Sequence, residues 1–178
     1  MHATNPGGYV SVGTATDRSV AVIGLGYIGL PTAVVLARSG WQVAGVDTSK
    51  KTVDAVNRGE LHFVEEGLAG PLKEAVTSGP LHAQTSMPAV DIVAVPTPFK
   101  GDHEPDVSYV DAACDAIAPV LSGGELIILE STSPPGTTRR MADRILAARP
   151  DLSLDGSKGR PAIHLAHAPE RVLPGKIM

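Results

Sequence analysis

The sequence lacks the features that mark an extracellular, membrane or nucleic-acid-binding protein. Its 178 residues include one cysteine, Cys114, so no disulfide can form within the chain, which fits a reducing, cytoplasmic compartment. No window reaches the run of about eighteen apolar residues that is typical of a membrane span. Lys and Arg number 15 against 19 Asp and Glu, for a net charge of -4, and no basic run occurs. We therefore expect neither membrane nor nucleic acid as a partner.

The length and the N-terminal stretch predict one domain that follows a tail. A chain of 178 residues can bury one sizeable core but is short for two domains. The N-terminal stretch has neither the apolar core nor the positively charged lead of a signal peptide. We expect a flexible tail at residues 1–18 and a single domain at residues 19–178.

From Val20 onward, short apolar runs rich in β-branched residues alternate with longer amphipathic stretches. This alternation is typical of βαβ units, and nearly continuous apolar runs indicate strands covered on both faces of a parallel sheet. Strands are predicted at residues 20–24, 42–47, 81–85, 91–96, 125–130 and 163–168. Helices are predicted at residues 28–38, 49–57, 71–78, 109–120 and 138–148.

The first predicted strand is joined to the first helix by GLGYIG, which has the spacing of a dinucleotide-binding turn. Gly24 permits a tight turn, Gly26 lets the backbone approach a pyrophosphate, and Gly29 lets the helix pack close to the strand. The helix N-terminus offers free N–H groups to the anion, so Tyr27 and Ile28 join the predicted cofactor site. The expected fold is α/β: a Rossmann-type, doubly wound, mainly parallel six-stranded sheet with helices on both faces.

An acidic residue follows the second predicted strand, where a ribose-binding carboxylate is expected. Asp47 lies about 18 residues beyond Gly29, near the usual spacing of about 20. A carboxylate there accepts hydrogen bonds from ribose hydroxyls and repels a 2′-phosphate, so NAD is favoured over NADP. Lys50 and Lys51, just downstream, soften that preference. The alternative is that the glycines only make a tight packing turn and that Asp47 only caps a helix.

Four longer segments carry further signatures: GLGYIGLP at 24–31, AVPTPFKGDHEPD at 94–106, LESTSPPGTT at 129–138 and APERVLPGKIM at 168–178. Together they resemble the UDP-glucose/GDP-mannose dehydrogenase family, over about residues 20–178. The second and fourth segments most resemble the branch that acts on UDP-N-acetyl-D-mannosamine. The UDP-glucose and GDP-mannose branches usually have an aromatic residue where this chain has Arg171.

The resemblance implies roles for residues at the carboxyl edge of the sheet. Thr97 and Thr132 match positions at which the family contacts the cofactor, and Thr132 also matches a contact to the reacting water. Glu170 matches a glutamate implicated in water activation, so Glu170 and Thr132 are the implied catalytic residues. Arg171 and the backbone of Val172 match positions that hold the nucleotide sugar. Without the resemblance, the Glu170–Arg171 pair would be interpreted as a surface ion pair.

The family reaction oxidises the C6 alcohol of a nucleotide sugar to a carboxylate with two NAD+, through a cysteine thiohemiacetal and a thioester. In the family, the lysine, asparagine and cysteine that this chemistry needs lie downstream of the PE segment, in a central helix and a C-terminal domain. We therefore expect this chain to hold the NAD-binding domain of a UDP-sugar 6-dehydrogenase and to be inactive alone. The resemblance also implies a UDP-sugar partner and, for full-length relatives, a homodimer.

The cysteine and the histidines suggest no further chemistry. Cys114 lies in a predicted amphipathic helix, with Asp111 and Asp115 nearby to disfavour a thiolate, and is interpreted as a buried structural residue. His164 and His167 lie close together on one predicted strand, but no further ligands occur at metal spacing. We expect no metal site.

Other functional interpretations stay open at this point. One is a catalytically inactive dinucleotide-binding or regulatory module. Another is a fragment of a UDP-glucose or other UDP-sugar 6-dehydrogenase. A third is a dehydrogenase of another type on the same fold, such as one for hydroxy acids, against which the segments PTPFKGDHEPD and PERVLPGK argue.

Overall fold

A computed structural model of the chain describes residues 18–88, 92–95, 99–100, 104–105, 107–130 and 132–169. Apart from residue 18, the predicted N-terminal tail lies outside these ranges. The strands are β1 Ser19–Ile23, β2 Gln42–Val46, β3 Leu81–Gln84, β4 Ile92–Val95, β5 Phe99–Lys100, β6 Glu104–Pro105, β7 Leu126–Leu129 and β8 His164–His167. The helices are α1 Gly29–Arg38, α2 Lys50–Asn57, α3 Ala69–Thr77, α4 Ser108–Ile117 and α5 Thr137–Ala148.

Two predicted helices need correction, and one pair of strands was not predicted. The helix expected at 109–120 ends as α4 at Ile117 and continues as a 3-10 turn at Ala118–Val120, because Pro119 has no N–H to extend the α-helical pattern. The helix expected at 71–78 begins two residues earlier, since a proline such as Pro71 is tolerated in a first turn. Strands β5 and β6 pair antiparallel in a segment for which no strand was predicted.

The longer strands form one sheet in the order β3-β2-β1-β4-β7-β8, and every neighbouring pair is parallel. The chain runs outward from β1 through β2 to β3, returns to place β4 on the other side of β1, and then runs outward through β7 to β8. The order of the strands therefore reverses between β1 and β4, where open α/β sheets bind ligands at their carboxyl edge. The predicted α/β class, with parallel strands and intervening helices, is confirmed.

Two buried clusters lie on opposite faces of the sheet. Val22 of β1 belongs to one cluster, whereas Ile23, the next residue along the strand, packs against the other. Successive strand residues point to opposite faces, so helices cover both sides. The first cluster draws its helical residues from α1, α2 and α3, including Leu30, Val34, Val56 and Leu72. The second draws them from α4 and α5, including Val110, Ile117, Met141 and Ile145.

The outer strand β3 is capped by a side chain of α2. The Asn57 side-chain amide donates to the Ala83 carbonyl at 2.8 Å and accepts from the Ala83 N–H, also at 2.8 Å. Gln84, the next residue, accepts instead from the Asp47 N–H on the β2 side. Because backbone groups alternate between the two sides of a strand, the Asn57 amide satisfies a peptide that faces away from the sheet.

Candidate dinucleotide site at the carboxyl edge of the sheet

The turn between β1 and α1 is fixed by backbone geometry and by two hydrogen bonds. Gly24 has φ of 87°, a conformation that residues with a Cβ rarely adopt. Its N–H donates to the Val46 carbonyl at the end of β2, at 2.7 Å. The next N–H, that of Leu25, donates to the Asp47 carboxylate at 2.9 Å. The turn after β1 is therefore held to the end of β2.

Helix α1 begins in a way that suits an anion. Ile28 is its N-cap and makes no side-chain cap hydrogen bond, and the first turn contains no acidic residue. The positive end of the helix dipole is therefore not neutralised from within the helix. Gly26 is exposed, and a Cβ built on it would meet no heavy atom within 4 Å. The space outside the turn is open, as the approach of a pyrophosphate requires.

Asp47 accepts hydrogen bonds from two backbone N–H groups. Its Oδ1 accepts from the Ser49 N–H at 2.8 Å, and its Oδ2 accepts from the Leu25 N–H. Ser49 in turn caps α2 by accepting from the Thr52 N–H. A carboxylate has about four acceptor positions, so a half-buried Asp47 with two of them occupied retains capacity for ribose hydroxyls. The two backbone donors fix the orientation of the carboxylate.

Gly45 is a residue of the site that sequence reasoning missed. A Cβ on Gly45 would lie 2.9 Å from Cδ2 of Leu25, whose side chain is fully buried beneath the turn. The absence of a side chain at position 45 therefore leaves the space that the buried Leu25 side chain occupies. A glycine inside a predicted strand is a known sign of close approach, so the signal was available.

Tyr27 makes an aromatic contact that the sequence also did not predict. Its ring centroid lies 4.3 Å from that of Phe63, with the planes inclined at 35°, and His62 packs edge-on against Phe63 at 4.8 Å. Phe63 itself packs against the first core cluster, whereas Tyr27 is 48% exposed. The connection between α2 and α3 therefore supports the cofactor turn from one side.

Thr132 lies beyond the carboxyl end of β7, exposed and in a loop held at both ends. On the β7 side, Glu130 Oε1 accepts from Thr32 Oγ1 of α1 at 2.7 Å. On the α5 side, the buried Thr137 donates both its N–H and its hydroxyl to the Pro134 carbonyl. The predicted residue thus lies at the same edge of the sheet as the glycine turn.

Four predicted site residues lie outside the described residues: Thr97, Glu170, Arg171 and Val172. Their roles therefore stay predictions. The residues of the site that the structure does describe are Gly24, Gly26, Tyr27, Ile28, Gly29, Asp47 and Thr132. All of these follow the carboxyl ends of β1, β2 or β7.

Cys114 lies away from this edge, on the face of α4 that packs into the second core cluster. Burial, together with the negative charge of Asp111, raises the pKa of its thiol to about 11. His164 and His167 are both exposed on β8. Within the described ranges, no three His, Cys, Asp or Glu side chains come together as metal ligands, and no helix is long and apolar enough to cross a membrane.

A parallel sheet with a glycine turn at its switch point and an acid at the end of the neighbouring strand defines a dinucleotide-binding domain of the oxidoreductase type. Residues 18–178 match the NAD binding domain of the UDP-glucose/GDP-mannose dehydrogenase family. The chain belongs to that family. Its cofactor is NAD, as the sequence predicted.

Relatives of known function are longer than this chain. The UDP-N-acetyl-D-mannosamine dehydrogenase of Escherichia coli (strain K12) is 53% identical over 163 residues, which are 90% of this chain and 39% of the relative. The NDP-N-acetyl-D-galactosaminuronic acid dehydrogenase of Ralstonia nicotianae is 49% identical over 164 residues, with the same coverage. The solved structure of a UDP-D-ManNAc dehydrogenase from Pyrococcus horikoshii aligns with a TM-score of 0.78 at 38% identity, over 90% of this chain and 38% of that one. The chain thus spans about two fifths of these relatives.

Proposed function

We propose that this chain is the cofactor-binding part of a nucleotide-sugar 6-dehydrogenase that oxidises UDP-N-acetyl-D-mannosamine with NAD+. The observation that carries the proposal is the hydrogen bond from the Leu25 N–H to Asp47, which joins the pyrophosphate turn to the ribose acid in one rigid unit. The relatives that are identical to this chain at about half of the aligned positions support the choice of sugar, because most of them are named for it.

The residues of the turn hold and orient the cofactor. Backbone N–H groups at the start of α1 bind the pyrophosphate, Gly26 admits it, and Asp47 accepts from the ribose hydroxyls. The carboxylate also disfavours a 2′-phosphate, since two negative charges would meet in a half-buried position. Bound NAD+ supplies a hydride acceptor.

The remaining site residues extend this proposal along the carboxyl edge. Thr97 and Thr132 contact the cofactor, and Thr132 and Glu170 assist the water that attacks the acyl intermediate. Arg171 and the Val172 backbone hold the UDP-sugar. These roles rest on the family signatures of the sequence, and for Thr132 also on its position after β7, near the bond between Thr32 and Glu130.

The proposal also covers the setting of the domain. Residues 19–178 form the NAD-binding unit on a doubly wound, six-stranded sheet, and residues 1–18 precede it as a tail. The complete enzyme works in the cytoplasm as a homodimer, and its catalytic lysine and cysteine lie in a part of the protein that this chain does not include. The chain alone binds NAD without oxidising the sugar.

Calorimetric titration of the chain with NAD and NADP tests the core of the proposal. Saturable NAD binding that is tighter than NADP binding is the expected result, and Asp47→Ala should abolish the difference. Asp54→Ala is the matched control, because Asp54 is an exposed carboxylate of α2 that pairs with Lys50 and does not touch the turn. If neither cofactor binds, the glycine turn has only a packing role and the proposal fails.

A further inference from the structure

A side-chain hydrogen bond links helix α1 to the end of β7 at the carboxyl edge of the sheet. Thr32 Oγ1 donates to Glu130 Oε1 at 2.7 Å, although the residues are 98 positions apart. Thr32 lies in the first turn of α1, directly after the glycine turn, and its own N–H donates to the Ile28 carbonyl. Glu130 is the residue that follows β7. Both residues are half-buried.

The bond spans the point at which the strand order reverses. Strand β4 lies between β1 and β7, so a contact from α1 to the end of β7 passes over the end of β4. Asp47 lies on the opposite side of β1, at the end of β2. A dinucleotide whose ribose is held at Asp47 and whose pyrophosphate lies at the turn continues toward β4 and β7. We therefore expect the second half of such a dinucleotide to lie near the Thr32–Glu130 bond.

The hydrogen bond between Thr32 and Glu130 also holds Glu130, which lies at the start of the loop that carries Thr132. Thr132 follows Glu130 by two residues, which limits the separation of their Cα atoms to about 7 Å. The other end of the loop is fixed by the hydrogen bonds from Thr137 to the Pro134 carbonyl. With both ends held, the position of the Thr132 hydroxyl depends on where Glu130 lies.

We propose that Thr32 and Glu130 are positioning residues for the nicotinamide half of the cofactor. This inference rests on the proposed NAD site and adds to it two residues to which neither the glycine pattern nor the family resemblance assigned a role. The carboxylate fixes the loop after β7 relative to the pyrophosphate turn, so that Thr132 meets a cofactor whose other half is already held at Asp47.

The test compares two substitutions of Thr32 and two ligands. Thr32→Val removes the hydroxyl at nearly constant shape, whereas Thr32→Ser keeps it. NAD carries both halves of the cofactor, and ADP-ribose lacks the nicotinamide. Loss of a hydrogen bond to a charged group corresponds to about a tenfold change in an equilibrium constant. We expect Thr32→Val to weaken NAD binding about tenfold and ADP-ribose binding less than about twofold, and Thr32→Ser to match the unsubstituted chain.

Thr77→Val is the matched control, because it removes a helical hydroxyl that bonds only to the Lys73 carbonyl within α3. It should leave the affinity for both ligands unchanged. Glu130→Gln gives a second measurement that keeps shape and acceptor but removes the charge. Glu130→Gln should also weaken NAD binding more than ADP-ribose binding. If circular dichroism shows that Thr32→Val does not fold, Glu130→Gln alone provides the test.

The outcomes separate the inference from the proposed function. If the substituted chains lose NAD and ADP-ribose binding equally, or lose neither, the bond is merely structural and the inference is wrong. Failure of Thr32→Ser to restore NAD binding would overturn it as well. If the unsubstituted chain binds neither ligand, the proposed function itself fails and this inference with it.

Discussion

The backbone N–H of Leu25 and the carboxylate of Asp47 lie 2.9 Å apart, so the acid at the end of β2 is a structural part of the turn after β1. Substitution of Asp47 therefore changes two things: the contact to the ribose and the anchor of the turn. A variant that removes the charge but keeps one acceptor oxygen separates these effects from one that removes the whole carboxylate.

Asp47→Asn and Asp47→Ala should differ in their effect on cofactor choice. Asparagine keeps one side-chain oxygen that can accept from a backbone N–H, so we expect a loss of NAD affinity of less than about tenfold and a gain in NADP binding relative to NAD. Alanine leaves both backbone donors without their acceptor and should cost more than about tenfold in NAD affinity. Titration of each variant with NAD and NADP measures the loss of NAD affinity and the preference between the two cofactors. Identical results for the two variants would show that the carboxylate does not act both on the cofactor and as an anchor of the turn.

Gly45→Ala should destabilise the domain through the cofactor turn. The new methyl group would lie 2.9 Å from Leu25 Cδ2, and Leu25 is fully buried, so its side chain must shift within the core beneath the turn. Overpacking of this kind costs about 1–3 kcal/mol of the free energy of unfolding, measurable by urea denaturation. Gly70→Ala in α3 is the control, because a Cβ there meets no heavy atom within 4 Å and should leave stability unchanged or raise it. Equal stability of both variants would show that Leu25 can move freely.

Cys114 should be unreactive in the folded chain at neutral pH. Burial raises the pKa of its thiol from 9.0 to about 11, which lowers the thiolate fraction at pH 7 about a hundredfold. We expect alkylation by iodoacetamide to be at least that much slower in buffer than in urea. The folded state holds the thiol proton more tightly, so the free energy of unfolding should also fall as the pH rises from about 9 to about 11. Cys114→Ala should remove this part of the pH dependence, and its persistence would assign the effect to other groups.

Helices α4 and α5 are joined by charged pairs whose coupling can be measured. Arg140 pairs with Asp111 through two hydrogen bonds, and Asp111 is only 18% exposed. A double-mutant cycle of Arg140 and Asp111 should give a larger coupling free energy than a cycle of Lys50 and Asp54. The side chains of Lys50 and Asp54 are 79% and 46% exposed, so solvent screens their interaction more strongly.

The pH dependence of the Asp111 cycle has a definite sign. The hydrogen bond from Arg140 lowers the pKa of Asp111 below its ordinary value of 3.8. Because folding lowers this pKa, the interaction stabilises the folded state at pH values above the ordinary pKa of the carboxyl group. This stabilisation is lost as the pH falls through the lowered pKa of the folded state. Urea denaturation of the single and double variants should therefore show the coupling free energy at neutral pH and a smaller one at acidic pH.

The sequence was sufficient for the elements and contacts that depend on local pattern. Apolar periodicity located the strands of the main sheet to within about two residues, and the glycine spacing located the cofactor turn. Asp47 was found because its distance from the turn is set by the βαβ unit itself. The tighter turn at Pro119 shows the limit of this approach, since helical periodicity continues through a residue that alters the hydrogen bonding.

Contacts between distant segments could not be predicted in the same way. Thr32 and Glu130 are 98 residues apart, and nothing in either local pattern indicates the other. The same holds for Phe63 against Tyr27, since the connection between α2 and α3 has no periodicity to fix its path. The pair β5 and β6 has two residues per strand, too few for an alternating pattern to appear.

The side-chain amide of Asn57 makes the two edges of the sheet different, because it occupies a peptide group at the outer edge of β3. The amide makes the two hydrogen bonds to Ala83 that the backbone of a neighbouring strand would otherwise make. An extended segment that approached β3 would have to displace this amide before it could pair there. The Ala83 peptide at the β3 edge is therefore less available to pair with another strand than a free edge peptide would be.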